Sequence, residues 1–388
     1  MIEWMAISLK SKWRLQRRSD YSNSRRVVFK LLAIISAILI TGITLWLVGE
    51  SPLDLGWRVI KSTLGTSFGR QQLLILATPL ILTGLSVTLG GRMMILNMGM
   101  EGQLYIGAWA ATGVGIFVKG PEWLVLLLML IAAAAAAGLF ALIPAWLLLK
   151  AGISEILSTI LLNYVAVQWV IFFAKDIWRD SSAAVGSAFI SFPVPYSLPM
   201  LIGKVHIGIL VAVILVIIFS VIMQNSIWGY EVLSIGANKK AARFAGIPVK
   251  RHILLVLILS GAISGVAGFI EIAGVAHRLS ASISNAFGWD GMLASMLAGT
   301  SFLAIIPYGL FLALILNGGT ILKTRGLSSN LVQALIGLIL LLSCVGEVVA
   351  NYRIVKITPS PLKPIIQKSG LEETSTIDKL AGDFSQKD

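Results

Sequence analysis

The sequence predicts an all-α, polytopic membrane protein of about ten transmembrane helices, and three observations predict it. The 388 residues are 57% hydrophobic and 13% charged, where soluble domains hold about 45–50% apolar and ~25% charged residues. The apolar residues gather into runs near the ~20 residues that a spanning helix needs. Basic residues concentrate beside those runs, so the net charge of +13 reads as topology charge attracted to anionic membrane lipid. No basic-aromatic motif points to nucleic acid.

Residues 1–30 carry Lys10, Lys12, Arg14, Arg17, Arg18, Arg25, Arg26 and Lys30. This is too long and too basic for a secretory leader and reads as a cytoplasmic tail before an uncleaved signal-anchor helix. Spans are expected over roughly 31–49, 71–90, 93–118, 122–149, 153–174, 205–223, 252–275, 287–304, 305–322 and 328–349. The transmembrane domain is thus 31–349, and 350–388 is a C-terminal tail whose last residues are of mixed charge. Ten spans place both termini on the side of the loop 224–251, which holds Lys239, Lys240, Arg243, Lys250 and Arg251. Positive-inside bias makes that side the cytoplasm of a bacterial plasma membrane. Lys323 and Arg325 then fall outside, against the rule. The single cysteine, Cys344, permits no intrachain disulfide.

The third span opens on Asn97-Met98-Gly99-Met100-Glu101-Gly102-Gln103. A carboxylate in hydrocarbon costs several kcal/mol unless paired, protonated or facing water. Flanking glycines let the helix break, which is tolerated at that depth only inside protein or along a cavity. Gly99-Met100-Glu101-Gly102 recurs as Gly288-Trp289-Asp290-Gly291, and Gly152-Ile153-Ser154 recurs as Gly326-Leu327-Ser328, in the same order. Halves of five spans would enter the membrane upside down relative to each other, an inverted 5+5 repeat of the kind that concentrates transporter function at broken helices. Asn97, Glu101, Gln103 and Asp290 are therefore candidates for the translocation path or its gate, with a purely structural role as the alternative. Glu155, Thr159 and Asn163, spaced i, i+4 and i+8, form a polar stripe on the fifth span, facing either a conduit or a neighbouring helix. Glu271 is expected to meet His277 or Arg278.

Within the cytoplasmic loop, Asn238 can cap a short helix that Gly246 closes and Pro248 prevents from continuing. Ala242 and Gly246 would keep one face small for a partner's groove. No Gly-x4-Gly-Lys-Ser/Thr loop occurs, so no ATP site, no cofactor and no enzymatic role are expected. His206, His252 and His277 lie in different segments and form no metal set.

Asn97–Gln103, the span opening Glu155-Ile156-Leu157-Ser158-Thr159-Ile160-Leu161-Leu162-Asn163-Tyr164, and Gly236-Ala237-Asn238 with Ala241-Ala242-Arg243-Phe244-Ala245-Gly246-Ile247 together resemble the permease subunits of ABC importers. The resemblance covers roughly residues 70–320 and is nearest to the nucleoside and simple-sugar branch, related to ribose and branched-chain amino acid permeases. It implies a subunit that passes a small polar solute from an external binding protein, paired with a second permease of the same or a homologous kind. Gly236, Asn238, Ala241, Ala242, Arg243 and Gly246 would then belong to the helix that docks on a separate ATPase subunit. The chain departs from the family after Asp290, where Asn285–Gly291 and Ile305-Ile306-Pro307 replace the usual motif and its Asn-Pro connection. The rival reading is a secondary transporter or channel in which Glu101 and Asp290 couple ion or proton movement. An intramembrane enzyme would need catalytic groups on facing helices, and the same two carboxylates are its only candidates.

Overall fold

A computed structural model describes residues 13–17, 23–180, 190–299, 301–324 and 326–356. The first helices are α1 (Asn23–Leu47), α2 (Pro52–Thr63), α3 (Ser67–Arg92), α4 (Met100–Phe117), α5 (Glu122–Trp146) and α6 (Glu155–Phe172). They are followed by α7 (Gly208–Asn225), α8 (Ile227–Ala237), α9 (Lys239–Phe244), α10 (Val249–Glu271), α11 (Phe287–Ala298), α12 (Ile305–Thr324) and α13 (Ser329–Asn351). π-Helical turns extend α5 to Ala151, α6 to Ile177 and α10 to Ala276. With these extensions, α3, α5, α6, α7, α10 and α12 are long and apolar enough to cross a membrane. The protein is an all-α polytopic membrane protein. Short strands β1 (Trp13–Arg17) and β4 (Tyr352–Lys356) pair antiparallel in a unit of their own, while β2 (Met200–Ile202) and β3 (Val205–His206) form a hairpin ahead of α7.

Most expected spans have a helix at their place, but three details differ. The expected span 93–118 is helical only from Met100. Residues 93–99 turn back beneath α3, with the turn closed by Ile95 N–H on Gly90 C=O at 3.1 Å and Met94 at φ 55°. The expected span 287–304 is a 12-residue half-helix, ~18 Å long and too short to cross ~30 Å of hydrocarbon. It stops at Gly299, whose φ of 65° and ψ of −118° suit a residue without Cβ. Finally, α2 lay between expected spans. Its Pro52 sits at the first helical position, and Asp54 and Arg58 pair at 2.6 Å along its exposed side, as helical i,i+4 spacing allows.

The buried core centres on α3 and α10, which pack on each other. Beyond that contact, α3 packs mainly against α11 and α12, whereas α10 packs mainly against α4 and α5. Close approach requires small residues. A Cβ on Gly265 would meet Ala133 O at 2.4 Å, and one on Gly291 would collide with Thr83. Gly152 and Gly326, the glycines of the second repeated motif, stand at φ 66° and 94°. Both turn the chain in the left-handed region.

Candidate functional site

The broken helix before α4 is held by side chains from three other helices. Asn97 is fully buried. Its Nδ2 donates to Gln103 Oε1 at 2.9 Å and to Ser260 Oγ at 2.7 Å, while its Oδ1 accepts from Gly99 N–H at 2.8 Å and Gln103 Nε2 at 3.2 Å. From α6, Thr159 Oγ1 accepts the Met98 N–H at 3.2 Å. Asn163 accepts the Gly102 N–H and donates to Met98 C=O, both at 2.8 Å. The break frees backbone groups from the helix, and these side chains satisfy them. The expected stripe is split. Thr159 and Asn163 join the junction, while Glu155 is half-buried at the start of α6 and its side chain makes no hydrogen bond among the described residues.

Sequence reasoning missed the serines beneath this junction. Ser260 Oγ, which receives Asn97, donates to Ser86 C=O at 2.9 Å, and Ser86 Oγ donates to Ser260 C=O at 2.8 Å. Ser264 donates to Ser86 Oγ at 2.9 Å. The three serines are fully buried and tie α3 to α10 where the helices cross. Their signal was the i,i+4 spacing of Ser260 and Ser264 beside Gly261 and Gly265, which marks one small, polar helix face.

Glu101 points the other way, towards α11. It is buried, and its Oε2 accepts the Gly288 N–H at 2.7 Å, with the Ser284 side chain as a further partner. A carboxylate at a helix N-terminus satisfies an orphan donor and opposes the positive end of the dipole. The Thr83 hydroxyl reaches Phe287 C=O at 3.0 Å, and Thr88 meets Ser295 at 2.7 Å, so α3 grips both ends of α11. The two glycine-acid motifs therefore meet in space, with Gly288 against the backbone of Glu101. Asp290 is half-buried in the first turn of α11, within electrostatic reach of Glu101, and its side chain makes no hydrogen bond among the described residues. Arg278 binds Asp180 at 2.8 Å, so it is not the expected partner of Glu271. Glu271 is buried on α10.

The loop between α7 and α10 contains the expected short helix. Asn238 Oδ1 accepts from Lys240 N–H at 3.0 Å and Ala241 N–H at 3.1 Å. At the far end Gly246, at φ 82°, donates to Arg243 C=O at 3.1 Å, and Ile247 donates to Ala242 C=O at 3.1 Å. Those paired bonds are a Schellman closure. One expectation is corrected here: Ala242 is 4% exposed, so it faces its own chain and offers no small surface to a partner. Ala241, Arg243 and Gly246 are exposed, and Phe244, 92% exposed, is the residue presented outward. Gly236 lies against Arg92 C=O, where a Cβ would collide, and this contact presses α8 onto the end of α3. His252 Nε2 lies 2.8 Å from Glu231 Oε2 and fastens α8 to α10.

The site thus joins a broken helix sealed by polar side chains, a clamped half-helix, and a capped surface helix linked through α8 to the end of α3. Residues 70–344 match the family model described as the permease component of branched-chain amino acid transport systems. The chain is 32% identical to the glucose ABC transporter permease of Haloferax volcanii over 84% of its own length and 88% of the relative's. It is 31% identical to the guanosine ABC transporter permease of Bacillus subtilis, covering 68% and 77% of the two chains. The nucleoside ABC transporter permease of Lactococcus lactis is 27% identical over 80% and 89%. The protein belongs to this family of transport-system permease components, which are transport subunits and not enzymes.

Proposed function

We propose that this chain is the transmembrane subunit of an ATP-driven importer that carries a simple sugar or a nucleoside inward. The observation that carries the reading is the path from surface to junction. Phe244 and Arg243 stand exposed on a capped helix, Gly236 bears on the end of α3, and α3 holds α11 through Thr83 and Thr88 and α10 through Ser86. Closure of a partner ATPase against α9 would push α3 and shift the α4–α11 contact between arrangements open to either side. The substrate class is taken from the relatives' glucose, guanosine and nucleoside names.

In this reading ATP binds the partner, and an external binding protein delivers the solute. A second permease, identical or homologous, completes the path. The translocating domain is 31–349 with its coupling loop at 224–251, and the tails 1–30 and 350–388 are cytoplasmic in a bacterial plasma membrane. Pairing of β1 with β4 supports an even number of crossings, because it requires both chain ends on one side. Gly236, Asn238, Ala241, Arg243 and Gly246 would form or shape the docking helix, with Ala242 anchoring it. Asn97, Gln103, Thr159 and Asn163 would hold the hinge, and Glu101 and Asp290 would set the gate.

The test is uptake into liposomes holding the complete complex. Radiolabelled sugar or nucleoside should enter only with ATP and the binding protein present. Uptake by this chain alone under an ion gradient would instead establish the carboxylate-coupled secondary transporter.

A further inference from the structure

Away from the junction, α1, α2, α12 and α13 border a cavity of about 590 Å³ that is open on one side. Its walls include Leu39 and Trp46 of α1, Val59 of α2, Phe311 and Leu314 of α12 and Ile336 of α13. The lining is apolar side chains and glycines, and Thr41 is its one polar side chain. This residue is 9% exposed, and its Oγ1 has no hydrogen-bond partner among the described residues. A buried hydroxyl without a partner is destabilising, so the cavity suits an occupant with an apolar body and an oxygen acceptor.

The cavity lies at a definable depth. The chain passes from α2 directly to the start of α3, a 26-residue helix ~39 Å long, and α8 packs on the other end of α3 at Arg92. Asn317 Nδ2 donates to Thr63 Oγ1 at 3.1 Å, fixing α12 to the end of α2. The cavity therefore sits in the leaflet remote from α8 and α9. The charges bordering it are unbalanced. Asp54 is neutralised by Arg58, Glu50 lies on the α1–α2 connection, and Lys61 and Lys323 are exposed cations that follow the lining residues Ile60 and Leu322 in the chain. Lys323 is one of the two residues that offend the positive-inside rule, and an anionic ligand on this side would give that charge a purpose.

We infer that the cavity is a binding site for an anionic phospholipid of that leaflet, with an acyl chain between α1 and α12, its ester oxygen towards Thr41, and its headgroup by Lys61 and Lys323. The assignment rests on the proposed sidedness of the membrane and stands apart from the transport cycle.

Native mass spectrometry of the full chain, purified from membranes and delipidated in detergent, tests it with phosphatidylglycerol and phosphatidylcholine as probes. The wild type should retain phosphatidylglycerol in preference. Gly56 lines the cavity and a Cβ there meets nothing within 4 Å, so Gly56→Phe should fill the space and abolish retention. A Lys61→Gln/Lys323→Gln double variant, altered only on the surface, should keep the acyl site and lose roughly thirtyfold in preference, as expected of two lysines near an anionic surface. Equal retention by Gly56→Phe, or no preference in the wild type, would overturn the site. A change of oligomeric mass in Gly56→Phe with lipid unaltered would also overturn it, assigning the cavity to a contact between copies of the chain.

Discussion

Replacing Gly288 with alanine tests whether the meeting of α4 and α11 is the mechanical centre of the protein. A Cβ at 288 would lie 2.7 Å from both Cα and N of Glu101 and 2.5 Å from its Oε2. The carboxylate can swing aside, but the backbone atoms cannot. The two helices must separate until those 2.7 Å contacts reach the 3.4 Å at which ordinary packing begins. Overpacking of this kind costs about 1–3 kcal/mol, and stretching the Gly288–Glu101 bond forfeits a hydrogen bond to a charged group, ~1.5–3 kcal/mol. The expected destabilisation is about 3–5 kcal/mol, read as a lower melting temperature in detergent and loss of ATP-dependent uptake. Gly337→Ala is the control. Its Cβ meets nothing within 4 Å inside α13, so it should be neutral or gain up to ~1 kcal/mol of helix propensity. Glu101→Gln keeps an acceptor for Gly288 and should fall between wild type and Glu101→Ala. If Gly288→Ala melts and transports like Gly337→Ala, the reasoning is wrong.

Asn163→Leu should destabilise by about 2–4 kcal/mol, because it strands the buried Gly102 N–H and the Met98 C=O without their partner; unchanged thermal stability would contradict that. Phe244→Ala should leave the melting temperature unchanged and weaken co-purification of the ATPase, whereas Ala242→Trp should disturb the chain's own packing and lower its stability. Asn238→Ala removes the cap of α9 at a cost of about 1 kcal/mol, and Asn238→Asp should restore coupled ATP hydrolysis. Burial, with a smaller push from His277, holds the His206 imidazole below its ordinary value. The fold therefore favours neutral His206, so its contribution is intact above the unfolded value of ~6.5 and declines as pH falls below it. Melting temperatures between about pH 7 and 5 should drop less steeply in His206→Gln than in wild type.

The membrane class, the order of the helices, and the cap and closing turn of α9 were legible in the sequence, because each is set by local chemistry. Apolar run length fixes a span, Asn238 and Gly246 fix helix ends, and the glycines around Glu101 permit a break. Repetition of the glycine-acid motif also pointed to two related junctions. Three features depended on distance through space. Linear order could not show that α3 packs on α11 and α12 while α10 packs on α4 and α5, since most of those partners lie many residues away. It gave Thr159 and Glu155 equal standing on one helical face, and only the packing of α4 separated the buried hydroxyl from the half-buried acid. It also offered Ala242 as a small outward surface, when burial against the body made Phe244 the outward residue. Local chemistry in the sequence established the polytopic membrane class, the break before α4 and the cap of α9, because those depend on neighbours within a few positions. The tertiary structure alone decided that Glu101 caps the opposite half-helix and that serines seal the crossing beneath it, because satisfying buried polar groups is a property of whichever surfaces meet.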